Sequence, residues 1–350
     1  MAAASAKKKK KSAARRILLI IFLIVVAIGA YCTFEIFGPN TGSFSEGPYL
    51  YIHTGSTYEQ VKQTLIEGGY VRSIRSFDLL AKQINYPEHI HPGKYTIKRG
   101  MSNYAMLRLL HSGRQTPVKL VINKLRTEQD FVNLLGQNLE ADSNVLRQML
   151  HDPVYLGQFG LDTNTAMCAV MPNTYDFFWN TTADKAFRKI EKNYAHFWTP
   201  ERVQQAKGQG LTPQQAITVA SIVEEETNKN DEKENIASVY LNRWRKGMRL
   251  QADPTVKFAV GDFTIRRITG AYLQTVSPYN TYLNAGLPPG PICTPSAASI
   301  EAVIEAPATN YLYFCAKADF SGYHSFAATL QEHMQNAHAY QQALDARGIH

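Results

Sequence analysis

Three consecutive glutamates, residues 224–226, are the first side chains in this 350-residue sequence whose spacing suggests chemistry. They follow Thr212, a typical N-cap, and Pro213, which suits the first position of a helix. Gln215 stands where it can complete a capping box with Thr212. The segment is therefore predicted to form a helix that carries the three carboxylates at its carboxyl end.

Helical geometry separates Glu226 from the other two glutamates. Val223, Ile222 and Val219 precede it by three, four and seven positions, so it shares a helix face with branched apolar residues. Desolvation disfavours a carboxylate, and a neighbouring acid acts in the same direction, so the pKa of Glu226 is expected to rise. A carboxylic acid that stays protonated near neutral pH is what general acid cleavage of a glycosidic bond requires. The alternative is a solvated acidic helix end, which is a common fate of charge runs.

Polar loops after this helix supply candidate substrate-binding residues. The pair Asp253-Pro254 is expected to end regular structure and to expose the polar groups around it. Residues 277–282 and 286–292 form loops dense in Tyr, Asn and Pro, and aromatic faces beside amide groups suit a sugar-binding cleft. The residues predicted to line the cleft and orient sugars, or else to brace these loops, are Gln251, Asp253, Tyr279, Asn280 and Tyr282.

The positive charge of the chain lies at its amino terminus. The formal net charge is +8, but seven Lys and Arg residues fall within residues 1–16, and their removal leaves 30 basic against 29 acidic side chains. A nearly neutral body argues against a nucleic-acid groove. The apolar stretch that follows, residues 17–34, has 18 residues, and a bilayer requires about 17–25.

This length favours an uncleaved transmembrane helix over residues 17–37. The small residues Ala27, Gly29 and Ala30 leave a cleaved signal peptide as the alternative. The positive-inside rule places the basic tail, residues 1–16, in the cytoplasm and the rest of the chain outside the inner membrane.

A degenerate repeat organises the chain after a Gly- and Pro-rich linker. Each of its three copies consists of a β-rich run, a turn, an N-cap residue and a helix, in that order. The N-cap residues are Thr57, Ser102 and Thr127. The first two copies resemble the LysM fold, which implies binding of glycans that contain N-acetylglucosamine; a spacer is the alternative. The predicted fold is α+β, with a LysM-like subdomain at 48–115 and a mixed α/β catalytic domain at 116–350.

The sequence carries no pattern typical of a metal or cofactor site. The four cysteines show no CxxC spacing, and a loop explains the closest histidine pair, His89 and His91, better than a metal site does. Neither a metal nor a cofactor is predicted.

Over residues 48–345, and most strongly over 212–326, the sequence resembles the YceG-like (MltG) family of membrane-anchored endolytic murein transglycosylases. Residues 171–175, Met-Pro-Asn-Thr-Tyr, are similar to that family's Phe-Pro-Asp-Thr-Tyr segment, with Asn173 in place of the usual Asp. The other matching motifs are, in order, Ser-Ile-Val-Glu-Glu-Glu-Thr at 221–227, Asn242-Arg243, Arg-Leu-Gln-Ala-Asp-Pro-Thr at 249–255, Tyr-Asn-Thr-Tyr at 279–282, Gly-Leu-Pro-Pro-Gly-Pro-Ile at 286–292 and Tyr-Leu-Tyr-Phe at 311–314.

The resemblance implies a reaction and a catalytic residue. The family's catalytic glutamate directly precedes Thr, which corresponds to Glu226, and Glu225 stands where a Lys is common. The implied reaction is non-hydrolytic cleavage of the β-1,4 bond between N-acetylmuramic acid and N-acetylglucosamine. Glu226 protonates the glycosidic oxygen, and its carboxylate then takes a proton from the muramoyl 6-hydroxyl, which leaves a 1,6-anhydro end. The implied partners are glycan strands and peptidoglycan synthases.

Two other functions remain open. A lysozyme-like hydrolase would need a second carboxylate, for which Asp253 is the candidate, at roughly 5–5.5 Å or 6.5–9.5 Å from the first. A non-catalytic, membrane-tethered glycan-binding scaffold would use the LysM-like repeats and keep the C-terminal part as an interaction domain. Released glycan ends distinguish the two enzymes, and a Glu226→Gln variant distinguishes enzyme from scaffold.

Overall fold

The computed structural model describes residues 2–44, 47–265 and 267–348, and of residues 2–14 it describes the backbone only. Most side chains of the predicted cytoplasmic tail, residues 1–16, therefore lie outside the described part. The chain divides into two compact units. The first contains Met1–Val118 with Phe178–Asn180, and the second contains Lys119–Phe177 with Thr181–His350.

The first unit combines a long apolar helix with a small two-stranded sheet and three short helices. The part Arg15–Phe37 of the long helix has the length and the mean hydropathy, 2.9, of a membrane span, and the side chains of residues 15–34 are exposed. The elements are α1 (Ala2–Phe37), β1 (Tyr49–Ile52), α2 (Tyr58–Glu67), α3 (Ile74–Gln83), β2 (Gly93–Thr96) and α4 (Asn103–His111).

The sheet of the first unit packs one face on the helices. β1 and β2 are antiparallel, and Leu50, Ile52 and Tyr95 point into a core that also contains side chains of α2, α3 and α4. Asn103 Nδ2 donates to the Glu35 carbonyl at 3.0 Å, which ties α4 to the end of α1. The linker is tied down too, because Asn40 Nδ2 donates to Asn103 Oδ1 at 2.5 Å.

The second unit is mainly helical, with two further two-stranded sheets, β3–β4 and β5–β6. The described residues thus form an α+β fold with sheets of two strands each. The elements are β3 (Val118–Ile122), α5 (Glu128–Asn138), α6 (Ser143–Leu150), α7 (Pro153–Gly157), β4 (Asn173–Phe177), α8 (Ala183–Phe197), α9 (Pro200–Gly208), α10 (Pro213–Glu226), α11 (Lys233–Arg245), α12 (Asp253–Val260), α13 (Gly270–Leu273), α14 (Ala297–Ile304), β5 (Tyr313–Ala316), β6 (His324–Ala327) and α15 (Leu330–Asp345).

The predicted strand–turn–helix repeat is confirmed by the pairs β1–α2, β2–α4 and β3–α5. The side chains of Thr57, Ser102 and Thr127 each accept a hydrogen bond from the backbone of the following helix, as predicted for N-caps. Each cap stabilises the start of its helix, because it satisfies backbone N–H groups that would otherwise have no partner.

Two local predictions were wrong. The aromatic-rich segment 172–179, which begins with Pro172, is predicted from the sequence to be a loop, but Asn173–Phe177 is the strand β4, which pairs with β3. The Asp253-Pro254 pair was expected to end regular structure, but it begins the helix α12. Proline is tolerated in the first turn of a helix because the N–H group it lacks has no partner there.

Candidate active site

The helix α10 lies in the middle of the second unit and ends in the three glutamates. Its predicted start is confirmed, since Thr212 and Gln215 form a capping box and Pro213 stands in the first turn. Residues 216–223 are all buried, and α9, α11, α12 and α14 pack around them. A helix buried on every side is held rigidly, and its last turn fixes the directions of the three carboxylates.

Glu224 points into a cage of donors. Its Oε2 accepts hydrogen bonds from Ser296 Oγ at 2.7 Å, from Lys233 Nζ at 3.1 Å and from the Ser299 hydroxyl. Burial alone raises the pKa of Glu224, but these donors outweigh it and the pKa is lowered below its ordinary value. The carboxylate is therefore ionised and joins α10 to α11 and α14.

Glu225 pairs with two cations. Lys124 Nζ lies 2.7 Å from its Oε1, and Arg126 Nη2 donates to its Oε2 at 3.1 Å. Burial raises the pKa of Glu225, and the two cations reverse this and lower it. The sequence left open whether Glu225 would raise the pKa of Glu226 or point away. Its side chain is bound to Lys124 and Arg126, and its charge makes only a minor contribution to the raised pKa of Glu226.

Among the described residues, one side chain donates a hydrogen bond to Glu226, and the pKa of this glutamate is raised. Tyr240 Oη, on the neighbouring helix α11, donates to Glu226 Oε1 at 2.5 Å. Desolvation raises the pKa of Glu226 to about 7; the Tyr240 hydrogen bond opposes this rise, and the charge of Asp253 adds to it. This is the direction that the apolar helix face predicted. Near neutral pH a large fraction of the side chain is therefore protonated.

Glu226 is partly exposed to a cleft of about 340 Å³. The cleft combines acidic, amide and aromatic groups with an apolar wall. Its lining residues are Glu226, Val239, Tyr240, Arg243, Leu250, Gln251, Asp253, Tyr282, Leu312, Tyr313, Phe314 and His333.

Three of the five predicted substrate-binding residues meet at this cleft. Gln251, Asp253 and Tyr282 line it, and Tyr282 Oη donates to Asp253 Oδ1 at 2.6 Å. Asn280 and Tyr279 are not among the lining residues. The buried Asn280 side chain donates to the carbonyls of residues 273 and 275, which braces the loop, and the Tyr279 ring packs 4.7 Å from that of Phe258.

Arg243 holds the loop that carries Gln251. Its Nη1 donates to the Leu250 carbonyl at 2.7 Å and to Gln251 Oε1 at 3.3 Å, and its Nε donates to the Leu312 carbonyl at 2.7 Å. Gln251 has a φ of +53°, a conformation that costs about 1 kcal/mol or more for a side chain other than glycine. The Gln251 backbone also donates to the Thr281 carbonyl at 3.2 Å, so the strained turn is fixed from two sides.

The chain is similar to known proteins. The sequence model of the YceG-like family matches residues 50–339. The chain belongs to the YceG-like family. It is similar to a Bacillus subtilis protein named endolytic murein transglycosylase, with 28% identity over 81% of each chain. A Streptococcus pneumoniae protein of the same name is 26% identical over 81% of this chain and 57% of its own length, so this chain spans little more than half of that relative.

A solved structure shares the fold. The crystal structure of a YceG-like protein from Listeria monocytogenes matches with a TM-score of 0.56 and 27% identity, over 82% of this chain and 97% of that one.

Sequence reasoning missed several side chains of the cleft in this YceG-like protein. In the sequence, the hydroxyl group of Tyr240 is the sole signal that this residue has a polar partner. His333 gives no signal in the sequence that it belongs to the site. The His333 ring stacks on Tyr313 at 5.2 Å, and burial, together with the charge of Arg243, lowers its pKa.

Within residues 2–44, 47–265 and 267–348, no group of three or more His, Cys, Asp and Glu side chains is placed to hold a metal ion.

Proposed function

We propose that this chain is a peptidoglycan lytic transglycosylase in which Glu226 is the catalytic acid and base. The observation that supports the proposal is a glutamate with a pKa of about 7 at the wall of a cleft lined with tyrosines. The name that the Bacillus and Streptococcus relatives carry, endolytic murein transglycosylase, points to the same substrate.

The first proposed step is protonation. Tyr240 occupies Glu226 Oε1 as a donor, so the acid proton belongs on Oε2. Glu226 gives this proton to the oxygen of the β-1,4 bond between N-acetylmuramic acid and N-acetylglucosamine as that bond breaks. The N-acetylglucosamine leaves with a free 4-hydroxyl group, and positive charge develops at the muramoyl anomeric carbon.

In the second proposed step Glu226 acts as a base. Its carboxylate takes the proton of the muramoyl 6-hydroxyl while that oxygen bonds to the anomeric carbon, and this closes a 1,6-anhydro ring. Glu226 is protonated again, and no water is consumed. The Tyr240 hydrogen bond stabilises the carboxylate between the two steps.

The competing reaction, hydrolysis of the glycan, would depend on Asp253. A lysozyme-like hydrolase would use Asp253 as the second carboxylate, and this residue shares the cleft with Glu226. We assign Asp253, with Gln251 and Tyr282, to the binding and orientation of sugars instead. The charge of Asp253 also favours the protonated form of Glu226.

The decisive experiment is to digest purified glycan strands with the full chain in detergent and identify the new ends by mass spectrometry. Anhydro ends are expected, and reducing ends would show a hydrolase. Glu226→Gln is expected to abolish cleavage, whereas Glu234→Gln, a glutamate on the next helix and outside the cleft lining, serves as the matched control. Undiminished cleavage by Glu226→Gln would refute the assignment, and no cleavage by any form would favour the scaffold.

We further propose that α1 anchors the chain in the bacterial inner membrane with residues 1–16 in the cytoplasm. The LysM-like part, residues 48–115, then binds glycan or acts as a spacer for the catalytic domain, residues 116–350. Peptidoglycan synthases are the proposed protein partners, which co-purification with the full chain tests.

A further inference from the structure

The sheet of the first unit has an outer face that its helices leave uncovered. Along β1, Leu50 and Ile52 are buried against the helices, and the alternate residues Tyr49 and Tyr51 point outward with 40% and 37% of their surface exposed. Neighbours on the same strand face are roughly 7 Å apart, so the two rings lie next to each other along the strand. Lys94 of β2 pairs directly with Tyr51 across the sheet.

Trp179 extends this row of rings. Its ring lies 5.0 Å from that of Tyr51 and 4.9 Å from that of His53, both with edge-to-face geometry. Asn180, the next residue, is held by Gln115 Nε2, which donates to its Oδ1 at 3.0 Å, and it donates to the Pro92 carbonyl. We call Tyr49, Tyr51, Lys94 and Trp179 the aromatic strip.

Lys94 gives the aromatic strip a positive charge. Its Nζ lies 3.9 Å from the centre of the Tyr49 ring and 5.8 Å from that of Tyr51. The strip therefore presents flat apolar rings beside one cation. Pyranose rings stack their C–H faces on aromatic rings, and a carboxylate next to the sugar complements Lys94. Peptidoglycan strands offer both, because muramic acid carries a lactyl carboxyl group that is either free or extended by an acidic stem peptide.

A membrane surface fits the strip less well. Tyr, Trp and Lys also suit lipid headgroups. However, α1, the candidate span, packs against α3 and α4, and these helices cover the inner face of the sheet. The aromatic strip lies on the opposite face, which is directed away from the helices that α1 joins.

We propose that the aromatic strip binds carboxylate-bearing glycan strands through ring stacking at Tyr49, Tyr51 and Trp179 and charge pairing at Lys94. The inference rests on the proposed function for its substrate class. Binding at the strip retains a long strand on the enzyme between cleavages, so it affects KM for strands and leaves kcat for short fragments unchanged.

The test measures binding of the full chain in detergent to purified sacculi by co-sedimentation. All forms carry Glu226→Gln, so that the glycan stays intact. The double variant Tyr49→Ala/Tyr51→Ala is expected to bind about tenfold more weakly or worse, and Tyr49→Phe/Tyr51→Phe is expected to retain binding because the rings remain. Tyr104→Ala removes a comparably exposed ring, 44%, from the helical side and is the matched control.

The carboxylate source is resolved with Lys94→Gln. A loss of binding to sacculi but not to strands stripped of peptides assigns the carboxylates of the stem peptide. A loss on stripped strands only assigns the lactyl carboxyl group, which the stem peptide otherwise caps as an amide, and a loss on both materials assigns both carboxylates. Unchanged binding of Lys94→Gln to both materials, or of the double alanine variant to sacculi, would overturn the proposal. These results are independent of the glycan-end analysis, which tests the reaction itself.

The lipid alternative has its own readout. In nanodiscs, brominated lipids quench tryptophans that touch the bilayer. No quenching that depends on Trp179 is expected. Quenching that disappears in Trp179→Phe would place the strip on the membrane and overturn the proposal.

Discussion

Replacement of Tyr240 by Phe is expected to move the pH profile of the enzyme to higher pH. Glu226 must be protonated to act as the acid, so the rate falls as pH rises through its pKa of about 7. Tyr240 donates to Glu226 Oε1 and stabilises the carboxylate, so loss of this donor favours the protonated acid and raises the pKa. The fall in rate should therefore begin at a higher pH.

The size of the shift follows from the strength of the lost hydrogen bond. A hydrogen bond to a charged group contributes about 1.5–3 kcal/mol, and about 1.36 kcal/mol corresponds to one pKa unit. The pKa of Glu226 should therefore rise by about one to two units. The maximal rate should fall at the same time, because the ionised Glu226 that acts as base has lost its stabilising donor.

The assay follows the release of anhydro ends from short glycan fragments between pH 5 and 10. Tyr323→Phe is the matched control, since Tyr323 also donates to a carboxylate, Asp231 Oδ2 at 3.0 Å, but is not among the residues lining the cleft. Its profile should not move. A Tyr240→Phe profile with an unchanged alkaline limb, or one shifted to lower pH, would refute the assigned role of the Tyr240 hydroxyl.

Three further substitutions test the separate environments of the glutamates. Glu226→Gln should stabilise the fold by about 2–3 kcal/mol at pH 8 and have little effect at pH 4. The pKa of Glu226 in the folded chain is about 7, above the ordinary 4.5, so the native glutamate lowers the stability of the fold as pH rises between these two values. Thermal melts of both forms over this pH range measure the difference. Glu224→Gln should destabilise by about 3 kcal/mol, because Lys233 is left buried without its counter-charge; an unchanged urea midpoint would contradict this. Glu225→Gln frees the positive charges of Lys124 and Arg126, so the alkaline limb of the rate profile should shift to lower pH, and a shift to higher pH would contradict the pairing.

Helix starts in this chain were predictable because their causes are local. Thr212, Pro213 and Gln215 lie within four residues of one another, and the capping box that they form needs no distant partner. The same holds for the final helix, where Thr329 and Glu332 form the box. The strand Asn173–Phe177 was missed because its partner, β3, lies about fifty residues earlier and no local pattern reveals the pairing.

Local sequence patterns predicted only part of the site. Periodicity identified the face on which Glu226 lies, and the polar, aromatic loops identified Gln251, Asp253 and Tyr282, which line the cleft. Neither could separate these residues from Asn280, whose amide is used within its own loop. Contacts such as Tyr240 with Glu226 depend on how α10 and α11 pack, and that information is not present in either helix alone.

Glu224, Glu225 and Glu226 have different roles because each has different neighbours at the end of α10. Hydrogen bonds and a lysine hold Glu224 ionised, two cations hold Glu225 ionised, and Glu226 meets a tyrosine hydroxyl at the wall of the cleft. A rotation of the helix end by one residue, about 100°, would exchange these environments. The buried body of α10 and the partners of Glu224 and Glu225 oppose such a rotation, so the two ionised glutamates serve to fix the third at the cleft.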